Sequence, residues 1–430
     1  MCRKSALNLT KKYLKMSEFV YRNGVLHAEQ TPMTTIAENF GTPCYVYSRA
    51  AIEQNWRAFE EQLPAPHQAC YAVKANSNLA VLQVLALMGA GFDVVSGGEI
   101  ARVLQAGGDA GKIVFSGVGK SRSEIEYALD AGIAQFNVES SAELERISEI
   151  ASARQLVARV SLRVNPDVDA KTHPYIATGL EANKFGIPMG EAMQTYRLAA
   201  GLPGLQVIGA DCHIGSQLTE IEPFLDAMDR MLQLIDKLAA EGIQLTHLDM
   251  GGGLGVAYAD EKPPAVADYI QALLGKLVDH PQLALYLEPG RAIVANAGVM
   301  LTRVEYIKES EKKDFVIVDA GMNDMLRPSL YQAFHEILNV REQSPSRSKP
   351  ADIVGPVCET GDFLGHNRTI TASAGDLLAV KSAGAYGFAM SSNYNTRVRP
   401  AELMVDGDQV HIIRQREQLE QLWQSEHLLP

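Results

Sequence analysis

Residues 68–95 read QACYAVKANSNLAVLQVLALMGAGFDVV, and residues 112–138 read KIVFSGVGKSRSEIEYALDAGIAQFNV. Each begins with a short β-branched or aromatic run, passes through a stretch whose apolar residues lie three and four apart, and ends on another short run. Alternating periods of two and 3.6 mark strand followed by helix followed by strand. The alternation continues from about residue 68 to 288. The strand candidates are Gln68–Val73, Phe92–Val95, Lys112–Phe115, Ala134–Val138, Ala158–Val164, Leu205–Asp211, Thr246–Met250 and Leu283–Leu287. The intervening helical patterns include Leu79–Met88, Glu99–Ala106, Ser123–Ala131, Ala142–Ala153 and Phe224–Glu241. Three of them open with a serine three residues before a glutamate: Ser96 and Glu99, Ser121 and Glu124, Ser140 and Glu143. That is the spacing of an N-terminal cap.

Strands alternating with helices imply a parallel sheet with right-handed crossovers. Eight strand candidates are the number that closes a (β/α)8 barrel, and their crowding into about 220 residues favours the barrel over an open doubly wound sheet. Beyond Ala297 the texture changes to short strand candidates separated by turns: Val304–Ile307, Phe315–Val318, Asp352–Val357, Arg368–Thr371, Leu377–Val380 and Glu402–Ile413, the last interrupted by the turn Asp406-Gly407-Asp408. This is a mostly antiparallel β domain, and the hairpin pattern Glu18–Leu26 is expected to join it across the sequence. The expected division is a leader at 1–15, N-terminal strands of the β domain at 16–45, the barrel at 46–298 and the β domain at 299–430. Ser344–Pro350 reads as a flexible loop.

The chain has 430 residues, 47% apolar and 21% charged, which is ordinary globular composition. Lys+Arg 39 against Asp+Glu 51 leaves a net charge of −12, so binding to nucleic acid or an anionic membrane surface is disfavoured. No apolar run reaches the ~18 residues of a membrane-spanning helix. The five cysteines, Cys2, Cys44, Cys70, Cys212 and Cys358, are irregularly spaced without a C-x-x-C pair. That argues against a disulfide framework and a structural zinc site, and fits a reducing cytoplasm. The first fifteen residues carry five Lys/Arg and no acid, and lack the apolar core of a secretory signal.

In a barrel, chemistry gathers at the C-terminal ends of the strands. The first strand delivers Lys74 there, and desolvation should lower its pKa and make it nucleophilic toward an aldehyde. A lysine snorkelling at a strand end is the alternative. The sixth strand ends at His213, followed by Gly215 and Ser216. The seventh ends in Gly251-Gly252-Gly253, whose backbone N–H groups are suited to cradling phosphate; the spacing of a dinucleotide fingerprint is not clearly met. The eighth ends in Glu288-Pro289-Gly290-Arg291, where acid and guanidinium could also simply pair. Lysine for an aldehyde, glycines for a phosphate and a carboxylate for a ring nitrogen together fit pyridoxal phosphate.

Tyr71–Asn76, His213–Ser216, Gly251–Gly253 and Glu288–Arg291 resemble the fold-type III pyridoxal-phosphate decarboxylases, which share an alanine-racemase-like barrel with an appended β domain. Within that group the strings Asn165–Ile187, Asp319–Tyr331 (DAGMNDMLRPSLY), Gly355–Asp362 (GPVCETGD) and Ala383–Pro400 are similar to those of the diaminopimelate decarboxylases, over roughly residues 18 to 415. The resemblance implies decarboxylation of meso-2,6-diaminopimelate to L-lysine, the last step of lysine synthesis, by a cytoplasmic homodimer. It implies that Lys74 condenses with the cofactor aldehyde, His213 stacks on the pyridine ring and Glu288 pairs with the ring nitrogen. Ser216, Gly253, Tyr386 and the backbone of Gly290 and Arg291 hold the phosphate, with Gly251, Gly252 and Pro289 in the same loops. Arg291, Arg327 and Tyr331 bind the distal carboxylate of the substrate, with Tyr386 nearby. Glu359 holds the distal ammonium and Cys358 is the proton donor, both reaching into the other subunit's site. Where the family has Cys-Glu-Ser, this chain has Cys358-Glu359-Thr360, which keeps the hydroxyl.

A carboxylate at Glu288 keeps the ring nitrogen protonated and the electron sink strong, which favours decarboxylation over racemisation; the racemases of this fold resemble it but carry arginine there. Cys358, with an unperturbed pKa near ~8.5, suits reprotonation, although a small buried hydrophobe is the ordinary role of a cysteine. Decarboxylases of ornithine, arginine or carboxynorspermidine share the cofactor set but have no distal carboxylate for Arg327 to read. A pyridoxal-phosphate-binding regulatory pseudoenzyme is the alternative outside catalysis.

Overall fold

The eight alternating segments form eight parallel strands: β1 Gln68–Ala72, β2 Gly91–Val94, β3 Ile113–Phe115, β4 Gln135–Val138, β5 Ala158–Asn165, β6 Leu205–Asp211, β7 His247–Asp249 and β8 Ala284–Leu287. Each pairs with the next, and β8 pairs back onto β1 through Tyr286↔Gln68 and Leu287↔Ala69. The sheet is therefore closed, and the open doubly wound alternative is excluded. The computed structural model describes residues 18–168, 184–343 and 350–430. The expected leader at 1–15, the middle of the Asn165–Ile187 string and nearly all of the Ser344–Pro350 loop lie outside the described residues.

The expected caps form as read. Ser96 accepts from the Glu99 N–H, Ser140 accepts from the Glu143 N–H, and Ser121 and Glu124 make a reciprocal capping box. These bonds satisfy N–H groups that the first helical turn leaves without partners.

The second sheet is mixed. Its path runs Phe363–Arg368, Ala351–Val354, Asp314–Val318, Gly298–Lys308, Cys44–Ser48, Ala401–Asp406, Gln409–Arg414, and Leu377–Val380 pairs with both Gly298–Lys308 and Ile337–Asn339. Most pairings are antiparallel; Cys44–Ser48 with Ala401–Asp406 and Asp314–Val318 with Ala351–Val354 are parallel. Two expected strands need correction. The one read at Asp352–Val357 stops at Val354, because Gly355 and Pro356 follow and proline cannot donate to a ladder. The one read at Arg368–Thr371 lies instead at Phe363–Arg368, where Ala351↔Arg368 and Val354↔Phe363 pair; the β-branched Thr369-Ile370-Thr371 misled the reading. The N-terminal hairpin, Phe19–Arg22 and Val25–Ala28, joins with Thr31–Pro32 in a small sheet of its own. It reaches the β domain through a Val25↔Arg341 bridge and a shared core in which Phe19, Leu26 and Ala28 meet Cys44, Val46, Val299 and Leu403.

The β domain completes the barrel mouth. The Tyr386 N–H donates to the Ala75 carbonyl at 2.8 Å, and Asn76 Nδ2 donates to the Gly384 carbonyl at 3.1 Å. Segment 383–386 is thereby tied directly over the end of β1. Gly384 permits this approach, because a Cβ there would lie 1.9 Å from the Val294 carbonyl oxygen. Replacing it with alanine forces that junction apart, a strain of about 1–3 kcal/mol. The Gly384→Ala variant should melt a few degrees lower in calorimetry; an unchanged midpoint would show that the junction is slack.

Candidate active site

Lys74 and His213, just after β1 and β6, open into one cavity of about 380 Å³; Glu288, Gly290 and the glycine run Gly251–Gly253 are not among its lining residues. Lys74 sits on a single 3-10 turn, Val73–Ala75, directly after β1. His213 follows β6 by two residues, the glycine run follows β7, and Glu288 follows β8 directly. Lys74, His213, Ser216, Arg291, Arg327, Tyr331 and Tyr386 line the cavity. Phe185, Gln217, Tyr258, Phe334 and Met390 add to its wall.

An acidic cluster lies beside Lys74. Asp93, Asp211, Asp249 and Glu288 are all nearly or fully buried, and carboxylate oxygens of the last three lie within 4.8 Å of one another. Burial, then the charges of Asp249, Asp93 and Asp211, push the Glu288 carboxyl well above its ordinary range. Asn137 Nδ2 and Ser116 Oγ donate to Glu288 Oε1 at 3.3 and 3.4 Å and hold it in place. Burial likewise raises Asp249, to about 6.

Lys74 departs from expectation. Its Nζ donates to Asp93 Oδ2 at 2.8 Å, and its side chain is 36% exposed toward the cavity. Burial does lower its pKa, but Asp93, Glu288 and Tyr386 together outweigh burial, and the amine is held above its ordinary value. The lysine is therefore an ammonium until something displaces or neutralises the acids beside it.

The glycine run also acts differently from a simple cradle. Gly251 N–H donates to Asp249 Oδ1 at 2.9 Å, and Gly252 N–H donates to His213 Nδ1 at 3.1 Å. A Cβ on Gly252 would lie 2.3 Å from the Glu288 carbonyl oxygen, so this residue lets the β7 and β8 loops touch. Only Gly253, at φ +115°, keeps a backbone N–H without a partner among the described residues. The Gly252 contact fixes His213 as the tautomer with an unprotonated Nδ1. Burial, with Arg163 and Lys74 nearby, holds that imidazole neutral.

The remaining wall is cationic. Arg291 donates to Ser216 Oγ from Nη2 at 2.9 Å and to the Tyr258 hydroxyl from Nη1 at 2.6 Å. Arg327 Nη1 donates to the same hydroxyl at 3.1 Å and to His335 Nε2 at 2.8 Å. Both arginines are buried, at 6% exposure each, and among the described residues neither has a carboxylate partner.

Cys358 and Glu359 do not line this cavity. Cys358 is exposed, which removes the buried-hydrophobe reading, and Glu359 accepts a hydrogen bond from the Tyr394 hydroxyl at 3.2 Å. Sequence reasoning missed Asp93, Asp249, Tyr258 and His335. For the two aspartates a signal existed: each is the lone acid of its strand, Gly91–Val94 and His247–Asp249, where a buried charge demands a partner. Tyr258 and His335 lie in loops without a readable period.

A family model described as the pyridoxal-dependent decarboxylase, pyridoxal binding domain, matches residues 49–295. The diaminopimelate decarboxylase of Pseudomonas aeruginosa is 59% identical over 96% of this chain and 100% of its own length. That of Vibrio cholerae is 57% identical over the same shares. The crystal structure of diaminopimelate decarboxylase from Helicobacter pylori complexed with L-lysine superposes with a TM-score of 0.88 at 44% identity, covering 92% of this chain and 99% of that one.

The pairing of Lys74 with Asp93 makes the amine's protonation testable. Asp93→Asn removes the nearest stabilising charge, so the pKa of Lys74 should fall, by about one to three units for an opposite charge at such a distance. In the protein freed of ligand, the pH at which an aldehyde and borohydride trap Lys74 at half the limiting rate should move down accordingly. An unmoved profile would mean that Asp93 does not set the amine's charge.

Proposed function

The chain belongs to the diaminopimelate decarboxylases within the pyridoxal-dependent decarboxylases, and we propose that it removes one carboxyl group from meso-2,6-diaminopimelate to give L-lysine and carbon dioxide, closing lysine synthesis. The observation that carries the substrate is the pair Arg291 and Arg327. Two buried guanidiniums that face a cavity and have only neutral partners within the described chain call for an anion from outside. A carboxylate matches the planar fork of arginine in a way that a second amine does not.

Pyridoxal phosphate is the cofactor of this family, and the site accommodates its groups. Lys74 would take the aldehyde, His213 would cover a ring face, and Glu288 would meet the ring nitrogen. Ser216, the Gly253 N–H, the backbone of Gly290 and Arg291, and Tyr386 would hold the phosphate. The fit rests on the glycine-permitted contact between the β7 and β8 loops and on the unpartnered Gly253 N–H. When bound, this cofactor supplies the electron sink for the carbanion left by loss of carbon dioxide.

The chain's own groups then have defined tasks. Glu288, whose hold on a proton is strengthened by burial and the neighbouring acids, would share a proton with a basic ring nitrogen. Asp93 keeps Lys74 charged until the site fills. Arg327, Arg291 and Tyr331 hold the distal carboxylate, which orients the carboxyl that leaves. Ser216 Oγ accepts from Arg291, so its own hydrogen is available to an anion.

We further infer a homodimer in which Cys358, as proton donor, and Glu359, as partner of the distal ammonium, act in the neighbouring subunit's site. Their placement outside their own cavity and the exposure of Cys358 support this. Thr360 keeps a hydroxyl beside them. Among the described residues Cys44, Cys70, Cys212 and Cys358 are all free thiols, which supports a cytoplasmic location. No helix of the described residues is long and apolar enough to cross a membrane.

Arg327→Lys should raise KM for diaminopimelate about tenfold or more, because an ammonium cannot reproduce a two-pronged contact. The product L-lysine retains the distal carboxylate, so its inhibition should weaken in parallel. 1,5-Diaminopentane has no carboxylate and should bind as before. Equal losses for all three ligands would remove Arg327 from carboxylate recognition.

The shared site is tested by complementation. Lys74→Ala and Cys358→Ala homodimers should each be nearly inactive. After subunit exchange, hybrids carry one doubly defective site and one intact site, so activity should recover to about a quarter of wild type by symmetry. Absence of recovery in hybrids verified by native mass spectrometry would place Cys358 in its own subunit's site.

A further inference from the structure

Resting on the reading of Arg327 as the residue that meets the distal carboxylate, we propose that His335 is a positioning residue for substrate specificity. It captures one N–H of Arg327 and, with Tyr258, turns the free edge of the guanidinium toward the cavity. His335 is fully buried and follows the short helix Arg327–Tyr331. Its Nδ1 lies 2.8 Å from the Lys381 carbonyl oxygen and its Nε2 lies 2.8 Å from Arg327 Nη1. A carbonyl only accepts and a guanidinium only donates, so these two contacts together assign the tautomer: hydrogen on Nδ1, lone pair on Nε2.

Arg327 Nη1 carries two hydrogens. His335 Nε2 takes one, and the Tyr258 hydroxyl, 3.1 Å away, takes the other. Tyr258 also stands edge-on to the His335 ring, with centroids 5.1 Å apart and planes at 79°. With Nη1 fully engaged by two fixed groups, Nε–H and Nη2 remain as the two-pronged edge that can face a carboxylate. The choice of a neutral acceptor matters. An acid in place of His335 would orient Arg327 but cancel its charge, whereas a neutral imidazole orients it and leaves the charge for the ligand. Burial, and then Arg327 itself, pushes the His335 pKa down to about 3, so the imidazole stays neutral across the physiological range.

The two imidazole nitrogens can be imitated separately. In His335→Asn the side-chain amide reaches the Nδ1 position and keeps the bond to Lys381, but offers Arg327 nothing. In His335→Gln the amide oxygen reaches the Nε2 position and restores the acceptor. Holoenzymes of both variants and of Arg327→Ala are compared by kcat and KM for diaminopimelate, inhibition by L-lysine and by 1,5-diaminopentane, and melting temperature. His335→Asn should raise KM by about tenfold or more while kcat stays within about twofold, as expected for loss of an oriented charged hydrogen bond. Inhibition by lysine should weaken alongside, inhibition by 1,5-diaminopentane should hold, and His335→Gln should recover most of the lost affinity. If Arg327→Ala raises KM and His335→Asn does not, His335 has no positioning role and the carboxylate reading stands. If Arg327→Ala leaves KM unchanged, the carboxylate reading falls and this inference with it. Equal loss of 1,5-diaminopentane binding, or a comparable fall in melting temperature for both Asn and Gln, would make His335 a structural residue and overturn the proposal.

Discussion

Charges withdrawn from water need partners, and the rim of this barrel collects more of them than it can pair internally. The Lys74–Asp93 contact at 2.8 Å is the central case. One ammonium stands beside a cluster of acids that also holds Asp211, Asp249 and Glu288, all buried. Burial and the neighbouring acids push the Glu288 carboxyl well above its ordinary range, while Asp93 helps to hold the Lys74 ammonium above its own. An ammonium has no lone pair to offer an aldehyde, so Lys74 must pass its proton on before it can react.

The same constraint divides the cavity by sign. Acids sit beneath, on strand ends of the barrel, while Arg291 and Arg327 line the wall toward the β domain. Tyr258 lies between the two guanidiniums and accepts from both. Two like charges held near each other in a dry wall repel, and burial with that repulsion lowers the Arg327 pKa. A carboxylate entering there would relieve the repulsion, so binding an acidic group and stabilising the site would be one electrostatic event.

Backbone proximity makes this arrangement possible. Gly252 lets the β7 and β8 loops touch, and Gly384 lets the β domain lie against the end of the barrel. His213 is oriented by a backbone N–H from Gly252, and Tyr386 is tied by its own N–H to Ala75. Small residues at these points are therefore coupled to the chemistry through the groups they let approach, although they offer no side chain of their own.

Much of this was readable from the chain. The (β/α)8 alternation, the helix caps at Ser96, Ser121 and Ser140, and the placing of Lys74, His213 and Glu288 at strand ends follow from local periodicity, because strand and helix impose their spacing on nearby residues. Tertiary structure alone decided the charge of Lys74, since burial argues for a lowered pKa and only the folded placing of Asp93, Glu288 and Tyr386 around it reverses that. It also decided which glycine N–H remains open, because those of Gly251 and Gly252 are taken by side chains that the spacing does not reveal. The same holds for His335: eight residues after Arg327, in a loop, nothing in its neighbourhood marks it. Its tautomer and its hold on the guanidinium arise only when the Lys381 carbonyl and Tyr258 are folded around it, since hydrogen-bond direction is a property of the assembled neighbours and not of the residue.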